Sequence, residues 1–387
     1  CRWDYDYTGG DHDGNLTNLA DKKVAIIGTG ATAIQCVSAL GASAKALYVI
    51  QRTPSSVDAR NNSETDPEWA AGLKPGWQAL RQKRFGDAFL GGPIAPEFQD
   101  EGWTRMIRNL QALKEQAGDV PMEALANLAQ LADFKTMEQI RSLVDESVDD
   151  PEVASKLKAF YNQFCKRPTF NDDYLATFNR PNVELVDVSD AKGVDQITEN
   201  GLIANGREYE VDCIIYASGF EITSSYERRI GIPIFGNDGQ SIYEHWDEGM
   251  RSMHGLMSHG FPNLFLCGGL FVFQLGANYA YGVDVQAEQV AYTVSQLTKR
   301  GVKSANVSRS AEEKWIEDQL SPEGANALFV LGGSADSCTP GYYNQEGTAQ
   351  RYRDVRLESY GKGLGAYRKV LRDWRAQGDL EGLDLTS

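Results

Sequence analysis

The chain has 387 residues, and 54 Asp and Glu against 38 Lys and Arg leave a net charge of −16. An acidic chain repels a phosphate backbone, and no Lys/Arg block exceeds two residues, so nucleic acid is not an expected partner. With 42% hydrophobic and 24% charged residues the composition is globular and long enough for two domains, or one with a large insertion, and no apolar stretch approaches the roughly 20 residues that cross a bilayer.

Cys1-Arg2-Trp3-Asp4-Tyr5 lacks a Met and does not read as the opening of a domain, so the chain is expected to be a fragment. The clearest segment follows. Lys23 to Ile27 reads as an apolar strand, Ala31 to Leu40 as a helix and Ala46 to Gln51 as a second strand, a βαβ opening. Between strand and helix lies Gly28-Thr29-Gly30-Ala31-Thr32-Ala33, the context a dinucleotide fingerprint requires. Gly28 permits the tight turn, Gly30 lets a pyrophosphate approach the backbone, and Ala33 stands where the third glycine meets the sheet. Thr29, Ala31, Thr32 and Gln35 join the glycines as candidate cofactor contacts. The second strand runs into Arg52-Thr53, where an NAD site would place an acid; Arg52 suits a 2′-phosphate, so NADP is the expected cofactor.

From residue 61 to 165 the pattern changes to polar stretches with apolar residues three and four apart, among them Met122, Leu125, Leu128, Leu131, Ile140, Leu143 and Val144. That spacing predicts an inserted helical subdomain, with Trp69, Trp77, Phe160, Tyr161 and Phe164 as its core. Strands return at Val183 to Val188 and Cys213 to Ala217, separated by hairpin turns at Glu199-Asn200-Gly201 and Asn205-Gly206. Beyond Gly219 a strand is predicted at Leu264 to Cys267, a helix from about Val283 to Arg300 and another from about Gly363 to Gln377. The six cysteines stand singly, and the four histidines, His12, His245, His254 and His259, have no metal spacing. No metal site is expected, the setting is expected to be cytoplasmic, and His245 beside Trp246 reads as a packed or capping residue.

Several of these segments, in order, resemble the flavin-dependent Baeyer–Villiger monooxygenases. Asp21 to Gln35 with Gln51-Arg52-Thr53-Pro54 is similar to the family's NADP domain, and Cys1-Arg2-Trp3-Asp4 to the tail of its FxGxxxHxxxW[PD] fingerprint. Lys166-Arg167-Pro168, leading into Asp172-Asp173-Tyr174, resembles the segment that carries the active-site arginine. Ile214 to Glu221 resembles the ATGF/E return to the FAD domain, with Ser218 in place of Thr.

The resemblance implies an α/β protein: a Rossmann-like NADP domain (1–60 and 166–219) with the helical insertion at 61–165, then the C-terminal part of a second, FAD-binding Rossmann-like domain and tail at 220–387. It implies an NADPH- and FAD-dependent monooxygenase that converts bulky or cyclic ketones with O2 to esters or lactones through a flavin peroxide. Lys166 would assist Arg52 on the 2′-phosphate, and Arg167 would be the fixed cation beside the flavin. Ala217, Ser218 and Gly219 at the return, and Asn278 and Tyr279 after Gly276-Ala277, would contact cofactor, and the Cys338 to Asn344 turn cluster falls where the substrate loop is expected. The first FAD-binding βαβ unit would then lie in an N-terminal segment outside this sequence. Two alternatives stay open: a flavin monooxygenase acting on nitrogen or sulfur, and a non-catalytic NADP-binding fragment or subunit. A disulfide reductase is disfavoured because it needs a cysteine pair.

Overall fold

The computed structural model describes residues 3–89, 92–118, 121–220, 226–268, 278–321, 338, 341 and 360–387. The chain forms two compact units, one of residues 1–66 and 100–220, the other of 67–99 and 221–387.

The first unit is built on a four-stranded parallel sheet. Strands β1 (Lys23–Ile27) and β2 (Ala46–Gln51) have the predicted bounds, and the order is β5-β2-β1-β9, with β5 at Val183–Asp187 and β9 at Cys213–Tyr216. Because side chains alternate along a strand, Val24, Ile26, Leu47 and Val49 face the helix Ala31–Ser43, where Ala33, Ile34, Val37 and Leu40 are buried. Ala25, Ile50 and Val186 face the other way, onto Leu202, Ala204 and Tyr209 of an antiparallel meander, β6 (Gln196–Ile197), β7 (Gly201–Ala204) and β8 (Arg207–Glu210). Burying each such aliphatic side chain contributes about 1.5–3 kcal/mol. The predicted turn at Asn205-Gly206 joins β7 to β8, both residues at positive φ (52° and 71°), the backbone that suits the twist of a two-residue hairpin.

The first helix runs three residues past its predicted end, through Gly41, where a Cβ would meet the Thr177 side chain at 2.7 Å; the glycine admits the short helix Tyr174–Thr177. A short parallel pair, β3 (Val57–Asp58) with β4 (Thr169–Phe170), aligns the chain after β2 with the chain after Lys166-Arg167-Pro168.

The expected single insertion at 61–165 is divided. Residues 67–99 belong to the second unit, where the helix Trp77–Phe89 packs on the helix Gly363–Gln377. The remainder holds a helical hairpin, Arg105–Ala117 against Met122–Ser147. Its long helix buries Ala129, Ala132, Asp133, Thr136, Met137, Ile140 and Val144, and leaves Leu131, one of the apolar residues at helical spacing, exposed. Small and polar residues take that face because its partners are polar: Asn109 Nδ2 donates to Thr136 Oγ1 at 2.9 Å, and the Gln163 N–H donates to Asp133. Two of the aromatics expected in the core are also corrected, since Trp69 and Phe160 are exposed.

In the second unit, helices Tyr279–Lys299, Arg309–Leu320 and Gly363–Gln377 enclose Trp246, Phe261, Val285, Trp315, Tyr367 and Leu371, beside an antiparallel pair, β10 (Ser304–Val307) and β11 (Leu383–Thr386). Leu264 to Cys267 joins no sheet. Asn263 (φ 59°) turns the chain and bonds to residues 303 and 305, so the segment is extended and offers its Leu266 N–H to Leu256. His245 lies within hydrogen-bonding distance (3.2 Å) of both oxygens of buried Glu312, which also accepts the His259 N–H, and it packs on Phe261. Burial works to raise the Glu312 carboxyl, but the His245 and His259 hydrogen bonds and the nearby Arg251 charge bring it below the usual range.

Candidate functional site

The C-terminal end of β1 delivers Gly28 at φ 111°, a backbone that side chains resist, and a Cβ there would stand 2.4 Å from the Ala217 carbonyl oxygen. The glycine therefore lets β9 close on the fingerprint turn. The Ala217 N–H donates to Ile27 O at 2.8 Å, which brings Ala217 and Ser218 beside Gly28, and Gly219 follows at φ 98°.

Gly30 differs. It is extended, caps the helix Ala31–Ser43, and a Cβ added to it would meet none of the described residues within 4 Å. Gly28 leaves room for the protein itself, whereas Gly30 leaves room for something else. The opening lies at a helix N-terminus, where the first N–H groups have no intrahelical acceptor and the dipole favours an anion. A pyrophosphate fits that description. Ala31 and Thr32 belong to this first turn; Gln35, one turn on, spends its Nε2 on Ala31 O at 2.7 Å.

Thr29 ties this turn to the predicted phosphate-selecting segment. Its hydroxyl donates to Thr53 O at 2.8 Å, and its carbonyl accepts the Ser55 hydroxyl at 2.5 Å. Arg52 is exposed at the head of that loop. Buried Tyr161 holds the loop from the other side, its hydroxyl donating to Pro54 O at 3.0 Å and accepting from the Ser56 N–H at 2.9 Å. The Lys166 ammonium lies 5.5 Å from the centre of the same ring.

Arg167 is exposed, its guanidinium 6.0 Å from the centre of the Trp103 ring, which in turn leans on Phe170. Trp103 is held there by its neighbours. Gly102 fits against Phe170, where a Cβ would be 2.4 Å from the ring, and Arg105 grips buried Asp58 through two hydrogen bonds. Behind Lys166, Asp133 accepts the Gln163 N–H at 2.8 Å, while its Oδ2 has no hydrogen-bond partner. Burial raises its carboxyl to about 6, against the opposing pull of the Gln163 N–H and the Arg141 charge. Asp172 goes the other way: partial burial works to raise it, but N–H groups of Asn62, Asn61 and Arg60 more than offset that and hold it below the usual range.

No family model matches the chain. Over 99% of its length it is 45% identical to the Baeyer-Villiger monooxygenase ATR8 of Stachybotrys chlorohalonatus, covering 61% of that protein. All of it superposes on the polycyclic ketone monooxygenase of Thermothelomyces thermophila, at TM-score 0.81 and 36% identity, covering 63% of that chain. The chain is homologous to the Baeyer–Villiger monooxygenases. It spans about three fifths of the length of these relatives. A more distant Baeyer–Villiger enzyme, the NADP+-bound cyclohexanone monooxygenase of Rhodococcus sp. Phi1, aligns at TM-score 0.68 and 26% identity over 96% of the chain and 68% of that protein.

Thirteen of the fifteen predicted site residues of this Baeyer–Villiger homologue thus fall in the first unit. Asn278 and Tyr279 fall in the second. Asn278 caps the helix Tyr279–Lys299, its side-chain oxygen accepting the Tyr281 N–H at 3.1 Å, and Tyr279 is 49% exposed with its hydroxyl beside Gly268. Gly276, Ala277 and all of the 338–344 turn except Cys338 and Gly341 lie outside the described residues. Tyr161, Trp103, Asp58 and Arg105 were not among the site residues read from sequence. Their partners are distant in the chain, and only the Tyr161 aromatic had drawn notice, as core. Among the described residues one group has metal-ligand spacing, the exposed run Asp11, His12 and Asp13, where Asp11 instead accepts the Asp13 N–H in a turn. No described helix is long and apolar enough to cross a membrane.

Proposed function

We propose that this chain supplies the NADPH site and the fixed cation of an FAD- and NADPH-dependent monooxygenase that converts ketones, bulky or cyclic, with O2 to esters or lactones. The opening over Gly30, at the N-terminus of the helix Ala31–Ser43, carries the reading. There the backbone of Thr29 to Thr32 would hold the pyrophosphate, while Arg52 and Lys166 would take the 2′-phosphate from the loop that Thr29 and Tyr161 fix. Ala217, Ser218 and Gly219 would form the facing wall.

FAD, when bound, supplies the reaction with O2; the described residues do not outline where it lies. Arg167 would offer a fixed positive charge to an oxygen that becomes anionic as the ketone carbonyl is attacked. Names of relatives, a polycyclic ketone monooxygenase and a cyclohexanone monooxygenase, support a cyclic ketone as substrate.

The test is NADPH and NADH binding to the parent protein and to Arg52→Ala. A charge-assisted hydrogen bond contributes about 1.5–3 kcal/mol, so the substitution should weaken NADPH binding by roughly tenfold to a hundredfold and leave NADH nearly unchanged. Equal affinities in the parent would overturn the assignment.

A further inference from the structure

We propose that Tyr161 is the positioning residue for cofactor selectivity: one side chain sets both the loop that presents Arg52 and the ammonium of Lys166. The inference rests on the assignment of those two cations to the 2′-phosphate.

Two features of one ring carry it. The hydroxyl reaches across 105 positions to accept the Ser56 N–H and across 107 to donate to Pro54 O, so it closes the backbone of residues 54–56 into a fixed bend. That bend follows directly on Arg52-Thr53, and its near end is anchored to the fingerprint turn through Thr29. A phenol buried to 8% exposure with both of its hydrogen-bonding capacities in use does not rotate freely. The ring face then receives Lys166 at 5.5 Å, within the range where the quadrupole attracts a cation.

The two cations come from segments more than a hundred residues apart, and each is long and flexible. Without a common fixture each would lose its own rotamer freedom on meeting a phosphate. Tyr161 orders the loop and the lysine in advance, which lowers the cost of binding a group that only NADPH carries. The short β3–β4 pair adds alignment. The preceding residue gives the contrast: Phe160 is 74% exposed, with Arg141 over its ring, and makes no part of this fixture.

The experiment is Tyr161→Phe, which keeps the ring and removes the hydroxyl, compared with the parent for NADPH and NADH binding and for melting temperature. NADPH affinity should fall about three- to thirtyfold, NADH affinity should change less than twofold, and the rate at saturating NADPH should stay near parent. Equal losses for the two cofactors would show a merely structural role and overturn the proposal, as would no loss for either. Lys166→Met is the second variant, to be read alone and with Tyr161→Leu, which also removes the ring face that meets the lysine. Effects on NADPH that fall short of additive are expected, and fully additive effects would count against a shared fixture. Should Tyr161→Phe not fold, Ser56→Pro, which removes the N–H that Tyr161 accepts, tests the hydroxyl's part of the fixture by the same comparison of NADPH with NADH. Selectivity lost in Arg52→Ala but intact in Tyr161→Phe sinks this inference alone, whereas a parent without NADPH preference sinks the NADPH assignment and this inference with it.

Discussion

Asp58 and Arg105, 47 positions apart, form a two-pronged ion pair, Nε to Oδ2 at 2.6 Å and Nη2 to Oδ1 at 2.9 Å, with the Asp58 side chain only 3% exposed. The pair fastens β3, which continues from the cofactor loop, to the helix that follows Trp103. Removing one partner of a buried pair leaves the other uncompensated, so Asp58→Asn should cost about 3 kcal/mol in denaturant unfolding. Asp58→Leu combined with Arg105→Met should recover most of that, since neither charge is then stranded. A double variant with the full sum of the single losses would contradict this account.

Gly28 and Gly30 sit two residues apart and should respond oppositely. Gly28→Ala meets the Ala217 carbonyl and a positive φ, and should lower stability by about 1–3 kcal/mol or more. Gly30→Ala meets none of the described residues, so the melting temperature should hold or rise slightly while NADPH affinity drops at least tenfold. Parent-like NADPH binding by Gly30→Ala would remove the pyrophosphate from that opening.

Asp133 makes a pH-dependent prediction. Its carboxyl titrates near 6 when folded against an ordinary 3.8, so the folded state holds the proton more tightly. The stability that comes with the proton is fully present below about pH 3.8 and is lost as pH rises through 6. Asp133→Asn should therefore be more stable than the parent at pH 8, by roughly 1–3 kcal/mol, with the difference gone near pH 4. Melting curves across that range decide it; a constant difference at all pH values would point to packing instead.

Arg167→Ala, studied in FAD-loaded protein, should slow ester formation on the order of a hundredfold to a thousandfold, the usual loss for one preorganised charge stabiliser. Flavin reduction by NADPH should suffer less, because the proposed nucleotide contacts, the opening over Gly30 and Arg52, do not include Arg167. Trp103→Leu removes the ring beside the guanidinium and should cost only about two- to fivefold in the same step, matching an exposed cation–π contact. Stopped-flow traces separate the two steps. Near-parent oxygenation without Arg167 would reduce it to a surface cation.

The two strands of the βαβ unit were legible to the residue because their signals are local: apolar runs in Lys23–Ile27 and Ala46–Gln51, and a glycine turn between strand and helix. The helices Gly363–Gln377 and Tyr279–Lys299 were likewise written in their periodicity. What only the tertiary structure decided is which side of an element faces inward and which distant residue meets it. Phe160 and Tyr161 are adjacent aromatics with the same local pattern, yet one lies in solvent and the other clamps a loop 105 positions away. Asp133 is buried while Leu131 is exposed, because Gln163 supplies a hydrogen bond that no hydrophobic pattern records. Local propensity acts through neighbours along the chain, whereas these positions are set by partners that only folding brings within reach.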